Sequence, residues 1–172
     1  MDSLNAYSIP LSGIKDGMHQ FDYQIDSDFF KLFSESPISE GSFKVHVDFD
    51  KKPSVIDILI DFQGSMTIPC DRCLKSMQLP IIGQERLLVK YAEETREEEN
   101  VVYIPFETAE WNIAKYIYEF ICLVIPLIKT HDLSEDEDCD EKMLSYLEQQ
   151  NNDESDEKDN PIWDQLKNIK LN

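Results

Sequence analysis

The chain has 172 residues and a formal net charge of −19 at pH 7, and 41% of its residues are hydrophobic. This length predicts one domain with a sizeable core and is too short for two domains of ordinary size. The charge argues against tight binding of naked nucleic acid, because phosphates are bound by cations and the 16 Lys and Arg residues are scattered. Residues 1–10 contain no secretory signal pattern, and the longest apolar run, residues 120–128, is too short to cross a bilayer. We therefore expect a cytoplasmic protein with no membrane segment.

The acidic residues are concentrated in two runs. Residues 93–99 hold five acids around a lone Arg96, and the stretch from His131 to Pro161 holds thirteen acids and two lysines. Both runs should be solvated. They could serve as a solubilising surface, or they could attract a basic protein.

Alternating apolar residues predict strands in the first half of the chain. Residues 43–49 and 56–62 alternate in this way and are separated by a turn containing Pro53, which is typical of a β-hairpin. Residues 19–25 show a weaker alternation before them. The pair Gln63-Gly64 predicts another turn, and an extended stretch follows Cys73. This order predicts an antiparallel meander that could curl towards a barrel.

A helical period replaces this alternation after Trp111. Asn112 is placed to cap the helix and Pro126 to limit it. The apolar stripe consists of Ile113, Ile117, Phe120, Ile121 and Val124. Farther along, we expect a short helix near residues 142–148 and disorder over residues 149–159.

These patterns predict an α+β fold in which one main helix packs on the sheet. We expect a single α+β domain over residues 1–130 and an acidic, partly disordered segment over residues 131–160. Residues 161–172 form an amphipathic C-terminal segment that should dock on this domain or on a partner.

The sharpest local motif is Cys70-Asp71-Arg72-Cys73, for which several interpretations remain open. A thioredoxin-type redox pair requires its first cysteine at a helix N-terminus, but residues 74–80 show no helical stripe. A turn of this kind can instead supply half of a tetrahedral zinc site. The pair could also be two inert thiols.

The other two ligands of such a zinc site could be His131 and Cys139, because their segment is too polar to need either residue for packing. The complete set would then be the Cys3His group Cys70, Cys73, His131 and Cys139, with Zn²⁺ as the cofactor. Asp138 or Asp140 could replace a ligand. We interpret Cys122, which lies in the apolar helix, as a packing residue.

The remaining sequence contains no motif of a common catalytic site. Phosphate-binding glycine loops, G-x-S-x-G and H-E-x-x-H are absent. The other histidines, His19 and His46, lie on strand-like segments among polar neighbours and are expected at the surface.

The cysteine turn after a three-strand meander resembles the YceD family of bacterial and plastid proteins, known as large ribosomal RNA subunit accumulation proteins. Similar members have a C-x-R-C turn, a charged stretch and a helix that closes before a proline, here Ile125-Pro126. Some have a His-Asp pair followed by acids and a cysteine. A C-terminal box of the form Asn/Asp-Pro-x-Trp-x-x-Leu is matched by Asn160, Pro161, Trp163 and Leu166.

The resemblance implies a bacterial-type factor for accumulation or processing of 23S ribosomal RNA, with no known catalytic activity. Genes of the family commonly lie beside one for a small zinc-binding protein of the large subunit. A basic ribosomal protein or a pre-ribosomal particle is therefore the expected partner, with Pro161, Trp163 and Leu166 as expected contacts. The leading hypothesis is a non-enzymatic ribosome-biogenesis factor. The alternatives are a thiol or metal-dependent enzyme built on the C-x-x-C motif, and a structural interaction protein outside ribosome assembly.

Overall fold

The computed structural model describes residues 3–134 and 138–153. Short 3-10 helices cover Ser3–Tyr7 and His131–Leu133, and the α-helices are α1 Ser27–Phe30, α2 Ala114–Leu123 and α3 Glu141–Asp153. The strands are β1 Ser8–Pro10, β2 Gly17–Ile25, β3 Glu40–Lys51, β4 Val55–Pro69, β5 Ser76–Ala92, β6 Arg96–Glu98, β7 Val101–Pro105 and β8 Glu110–Asn112.

Six of the strands form one mostly antiparallel sheet in the order β2-β3-β4-β5-β7-β6, while β1 and β8 pair separately. The predicted α+β class and the meander β2 to β5 are confirmed. In the predicted hairpin, Val47 lies opposite Ile60 and Phe49 opposite Ile58, so that these side chains share the buried face. Within the described residues the sheet stays open, with β2 and β6 as its edges, and does not close into a barrel.

The prediction of a turn at Gln63-Gly64 is wrong, because β4 runs through both residues. Gly64 lies between Phe43 of β3 and Ile81 of β5. A Cβ at this position would collide with the Ser42 carbonyl oxygen and would lie 2.7 Å from the Phe43 Cα atom. Glycine is therefore needed for the close approach of two strands and not for a change of chain direction.

Strand β7 was not expected from the sequence. It pairs in parallel with β5, from Leu88 opposite Val101 to Ala92 opposite Pro105. The short strand β6 pairs antiparallel with β7 at the sheet edge. The alternation rule detects single strands, whereas a parallel neighbour reached through an acidic stretch leaves no comparable local pattern.

Helix α2 packs the predicted apolar stripe against the sheet. The side chains of Ile113, Ile117, Phe120 and Ile121 are buried in the hydrophobic core. The N-cap position of α2 is occupied by Ile113 and not by Asn112. Asn112 lies one residue earlier, and its Oδ1 atom accepts a hydrogen bond from the N–H of Ala114, the first helical residue, at 2.9 Å.

Helix α3 confirms the short helix expected near residues 142–148, but it corrects the disorder expected for residues 149–153. The Asp140 Oδ1 atom accepts hydrogen bonds from the N–H groups of Lys142 and Met143, which stabilises the first turn. The remaining disorder prediction, residues 154–159, and the docking segment with Pro161, Trp163 and Leu166 lie outside the described residues. None of the described helices combines the length and the apolar character needed to cross a bilayer.

We expect Gly64→Ala to lower the free energy of unfolding by about 3 kcal/mol, because the new methyl group overlaps backbone atoms that cannot move independently. Gly13→Ala is the matched control, since a Cβ there would have its nearest neighbours 3.9 Å away. That control should change stability by less than about 0.5 kcal/mol. Urea denaturation measures both variants, and equal stabilities would contradict the close-approach role of Gly64.

Candidate metal centre

The turn between β4 and β5 holds both cysteines of the C-x-x-C motif. The Cys70 N–H donates to the Lys75 carbonyl and the Leu74 N–H to the Cys70 carbonyl, both at 2.9 Å. The Arg72 N–H lies 3.4 Å from the Cys70 Sγ atom. Cys70 and Cys73 are both buried. The turn therefore presents two thiols on its inner side.

A second segment, which follows α2, is hydrogen-bonded to this turn. The Asp71 N–H donates to the Lys129 carbonyl, and the Lys129 N–H donates to Asp71 Oδ2, both at 2.7 Å. Arg72 and Asp132 form an ion pair at 3.1 Å. These bonds hold His131, which lies between Lys129 and Asp132 in sequence, against the cysteine turn.

The four predicted ligands converge in one cluster. The Sγ atoms of Cys70 and Cys139 are 3.9 Å apart. The Nδ1 atom of His131 lies 3.5 Å from the Cys73 Sγ atom and 3.6 Å from the Cys139 Sγ atom. All four candidate donor atoms lie within 4.8 Å of one another.

These separations fit a single tetrahedral ion. Metal–sulfur bonds of about 2.3 Å and metal–nitrogen bonds of about 2.0–2.1 Å place two sulfurs about 3.8 Å apart and a sulfur about 3.6 Å from a nitrogen. The three distances of 3.9, 3.5 and 3.6 Å are close to these values. The four donor groups could therefore hold one metal ion between them.

Cys139, rather than either neighbouring aspartate, completes this cluster. Its side chain is half-buried against the hydrophobic core. Asp140 instead accepts backbone hydrogen bonds at the start of α3, and Asp138 is exposed. Because Asp138 and Asp140 are exposed and Cys139 between them is half-buried, only the thiol of this segment lies near His131.

The thiols differ in acidity because of their surroundings. Burial opposes ionisation of Cys70, but hydrogen bonds from the backbone N–H groups of Cys73, Arg72 and His131 outweigh it and lower its pKa to about 6. Burial raises the pKa of the Cys139 thiol, and the neighbouring Cys70 and Cys73 raise it further. These pKa shifts favour the Cys70 thiolate, and repulsion by neighbouring thiolates adds to burial in opposing ionisation of Cys139. A bound dication would remove this repulsion.

The described geometry does not match a thioredoxin-type site. Cys70 follows strand β4, and the chain enters strand β5 six residues later, so Cys70 does not itself lie at the N-terminus of an α-helix. Cys122 packs partly buried against the core, and burial raises its pKa, in agreement with a packing role.

The other two histidines lie elsewhere on the sheet. The His46 Nδ1 atom lies 2.7 Å from Asp22, and His19 contacts the Lys15 carbonyl oxygen. The hydrogen bond with Asp22 raises the pKa of His46.

The residues that position the cluster were missed by the sequence analysis. Asp71 and Arg72 lie between the two cysteines, while Lys129 and Asp132 flank His131. The sequence did carry a signal for this contact, because residues of opposite charge flank the candidate ligands in both segments. Arg72 pairs with Asp132 and Lys129 pairs with Asp71, so each ion pair joins one segment to the other.

We expect the purified full-length protein to bind about one metal ion per chain, and Cys70→Ser to lose most of it. Removal of the ion should also lower the melting temperature strongly, because a structural thiolate site contributes on the order of 10 kcal/mol of binding free energy. Elemental analysis and thermal melting with a chelator measure both effects. Cys122→Ser is the control and should retain the metal. An unchanged melting curve after complete removal of the metal would contradict a structural site.

Comparison with known proteins agrees with the landmarks around this cluster. The family model described as "Large ribosomal RNA subunit accumulation protein YceD" matches residues 58–170. Neither a curated protein nor a solved structure matches the chain. The family match covers more than half of the chain and includes all four residues of the cluster. The chain therefore belongs to the YceD family of large ribosomal RNA subunit accumulation proteins.

Proposed function

We propose that this chain is a non-enzymatic ribosome-biogenesis factor in the cytoplasm. It supports accumulation or processing of 23S ribosomal RNA and assembly of the large subunit by binding a basic ribosomal protein or a pre-ribosomal particle. The observation that carries the proposal is the family match over residues 58–170.

The distribution of charge favours a protein partner over naked RNA. Seven cations of the described residues form ion pairs with carboxylates and so are poorly placed to neutralise phosphates. The pairs are Lys31–Asp28, Lys52–Asp50, Arg72–Asp132, Arg86–Asp57, Arg96–Glu98, Lys115–Glu97 and Lys129–Asp71. With a total charge of −19, the surface attracts a basic protein and repels an RNA backbone.

We assign Zn²⁺ to the Cys3His cluster. Three thiolates and one imidazole nitrogen are a preferred donor set for this ion, and four protein ligands are typical of structural zinc. When bound, zinc supplies a cross-link. Cys70 and Cys73 hold it from the β4–β5 turn, while His131 and Cys139 hold it from the segment between α2 and α3.

This ligand set also supports the proposal that the chain is not an enzyme. A catalytic zinc site keeps one coordination position open, whereas four side chains would fill this site. A thiol enzyme would need an accessible thiolate, but Cys70 and Cys73 are buried. A cavity of about 660 Å³ lies on the solvent face of the sheet, where Asp22, His46 and Asp61 contribute to its lining, away from the cysteine turn.

The RNA and protein alternatives can be separated with purified components. The chain should bind at least one individual basic protein of the large subunit, with an affinity that falls as salt rises. It should not bind large-subunit RNA fragments near physiological ionic strength. Binding assays across a salt series measure both. Tight RNA binding without any protein partner would contradict the proposed mode of action.

The C-terminal box is proposed as part of the partner contact, with Pro161, Trp163 and Leu166 as its contact residues. Tryptophan side chains commonly dominate interfaces, so Trp163→Ala should remove most of the tagged protein from sucrose-gradient fractions that hold large-subunit precursors. Tyr146→Ala, which changes an exposed aromatic residue on α3, is the control and should leave sedimentation unchanged. Failure of the wild-type chain to co-sediment with these precursors would contradict the proposed function. Equal co-sedimentation of wild type and Trp163→Ala would exclude only the contribution of Trp163 to the partner contact.

A further inference from the structure

An exposed apolar surface follows the main helix. Leu123, Leu127 and Ile128 lie within six positions of one another, and their side chains are 73%, 96% and 72% exposed. Single exposed leucines are common on protein surfaces, but neighbouring large apolar side chains usually mark a binding surface. We call these three residues the Leu127 surface.

The backbone that carries the Leu127 surface is held at both ends. The Ile125 N–H donates to the Cys122 carbonyl at 3.3 Å, and the partly buried Val124 and Ile125 pack against the core. At the other end, the Lys129 carbonyl accepts a hydrogen bond from the Asp71 N–H, and the Lys129 N–H donates to the Asp71 carboxylate. The three side chains are therefore exposed on an anchored segment, which lowers the entropic cost of ordering it on binding.

Two more exposed leucines lie in the segments that carry the Cys3His cluster. Leu74, in the cysteine turn, is 68% exposed and has a φ of +61°, a conformation that is uncommon for a large side chain. Leu133 lies next to Asp132, which pairs with Arg72 of the same turn. Leu74 and Leu133 thus extend the exposed apolar residues from the Leu127 surface towards the cysteine turn.

The charges near the Leu127 surface favour a cationic partner. Lys129, next to Ile128, is paired with Asp71, and Arg72 of the cysteine turn is paired with Asp132. Exposed acids continue along the chain beside the fourth ligand, at Asp138, Asp140 and Glu141. A second copy of this chain would bring two strongly negative molecules together, and anionic lipid or RNA would also be repelled.

We propose that the Leu127 surface binds an apolar, lysine- and arginine-rich segment of a basic protein. This inference rests on the proposed function, because it names the surface through which the chain would hold a basic ribosomal protein. The apolar side chains provide the desolvated centre of the contact, and the acidic residues around the metal cluster provide a complementary rim.

The test compares two double variants of the full-length protein. Leu127→Ser combined with Ile128→Ser removes the proposed contact without changing charge. Ile82→Ser combined with Met18→Ser is the matched control, because these side chains are 76% and 61% exposed on the solvent face of the sheet. The probes are individually purified basic proteins of the large subunit, and affinity is measured by fluorescence anisotropy. Thermal melting checks that both variants remain folded.

We expect the Leu127 and Ile128 double variant to weaken binding at least about tenfold, while the control stays within about twofold of wild type. Unchanged binding by this variant would overturn the proposed surface and leave the proposed function intact. Absence of any bound basic protein would overturn both. A second outcome would also contradict the proposal. In a Trp111→Phe background, the double variant could shift the fluorescence of Trp163 without weakening partner binding. The chain's own C-terminal segment would then occupy the Leu127 surface. The proposal would likewise be contradicted if the only effect of the double variant were the loss of a dimer of this chain.

Discussion

The two hydrogen bonds between Asp71 and Lys129 join parts of the chain that are 58 residues apart. One part is the tip of the β4–β5 hairpin, and the other is the segment that leaves helix α2. This junction brings His131 close to Cys70 and Cys73. The ion pair of Arg72 with Asp132 stabilises the same junction from its exposed side. Surface ion pairs of this kind contribute little alone, so the hydrogen bonds between Asp71 and Lys129 should contribute more to this junction.

Ion pairs elsewhere in the chain also determine which charges remain available to a partner. Many cations of the described residues are engaged with carboxylates of the same chain, which leaves an acidic surface and few sites for phosphate. The apolar side chains of the Leu127 surface lie on the segment that the cluster anchors. A structural ion would therefore affect recognition indirectly, by holding the backbone that presents these side chains.

Much of the site could be predicted from the sequence because ligand chemistry is local. A C-x-x-C turn restricts two thiols to one side, and a histidine and a cysteine in an acidic segment have few packing uses. The hairpin of residues 43–62 was predictable for a similar reason, since its alternation is uninterrupted. The turn predicted at Gly64 was wrong because glycine serves both turns and close strand contacts, and local sequence does not distinguish them. The parallel strand β7 and the bonds of Asp71 depend on contacts between distant residues, which no local period encodes.

X-ray absorption spectroscopy of the zinc-loaded full-length protein tests the central cross-link most directly. Three sulfur ligands at about 2.3 Å and one nitrogen ligand at about 2.0–2.1 Å are expected if Cys70, Cys73, Cys139 and His131 bind the same ion. In Cys139→Ser, the number of sulfur ligands should fall from three to two. A shell dominated by oxygen, or a sulfur count unaffected by Cys139→Ser, would contradict a cross-link between the hairpin and the segment after α2.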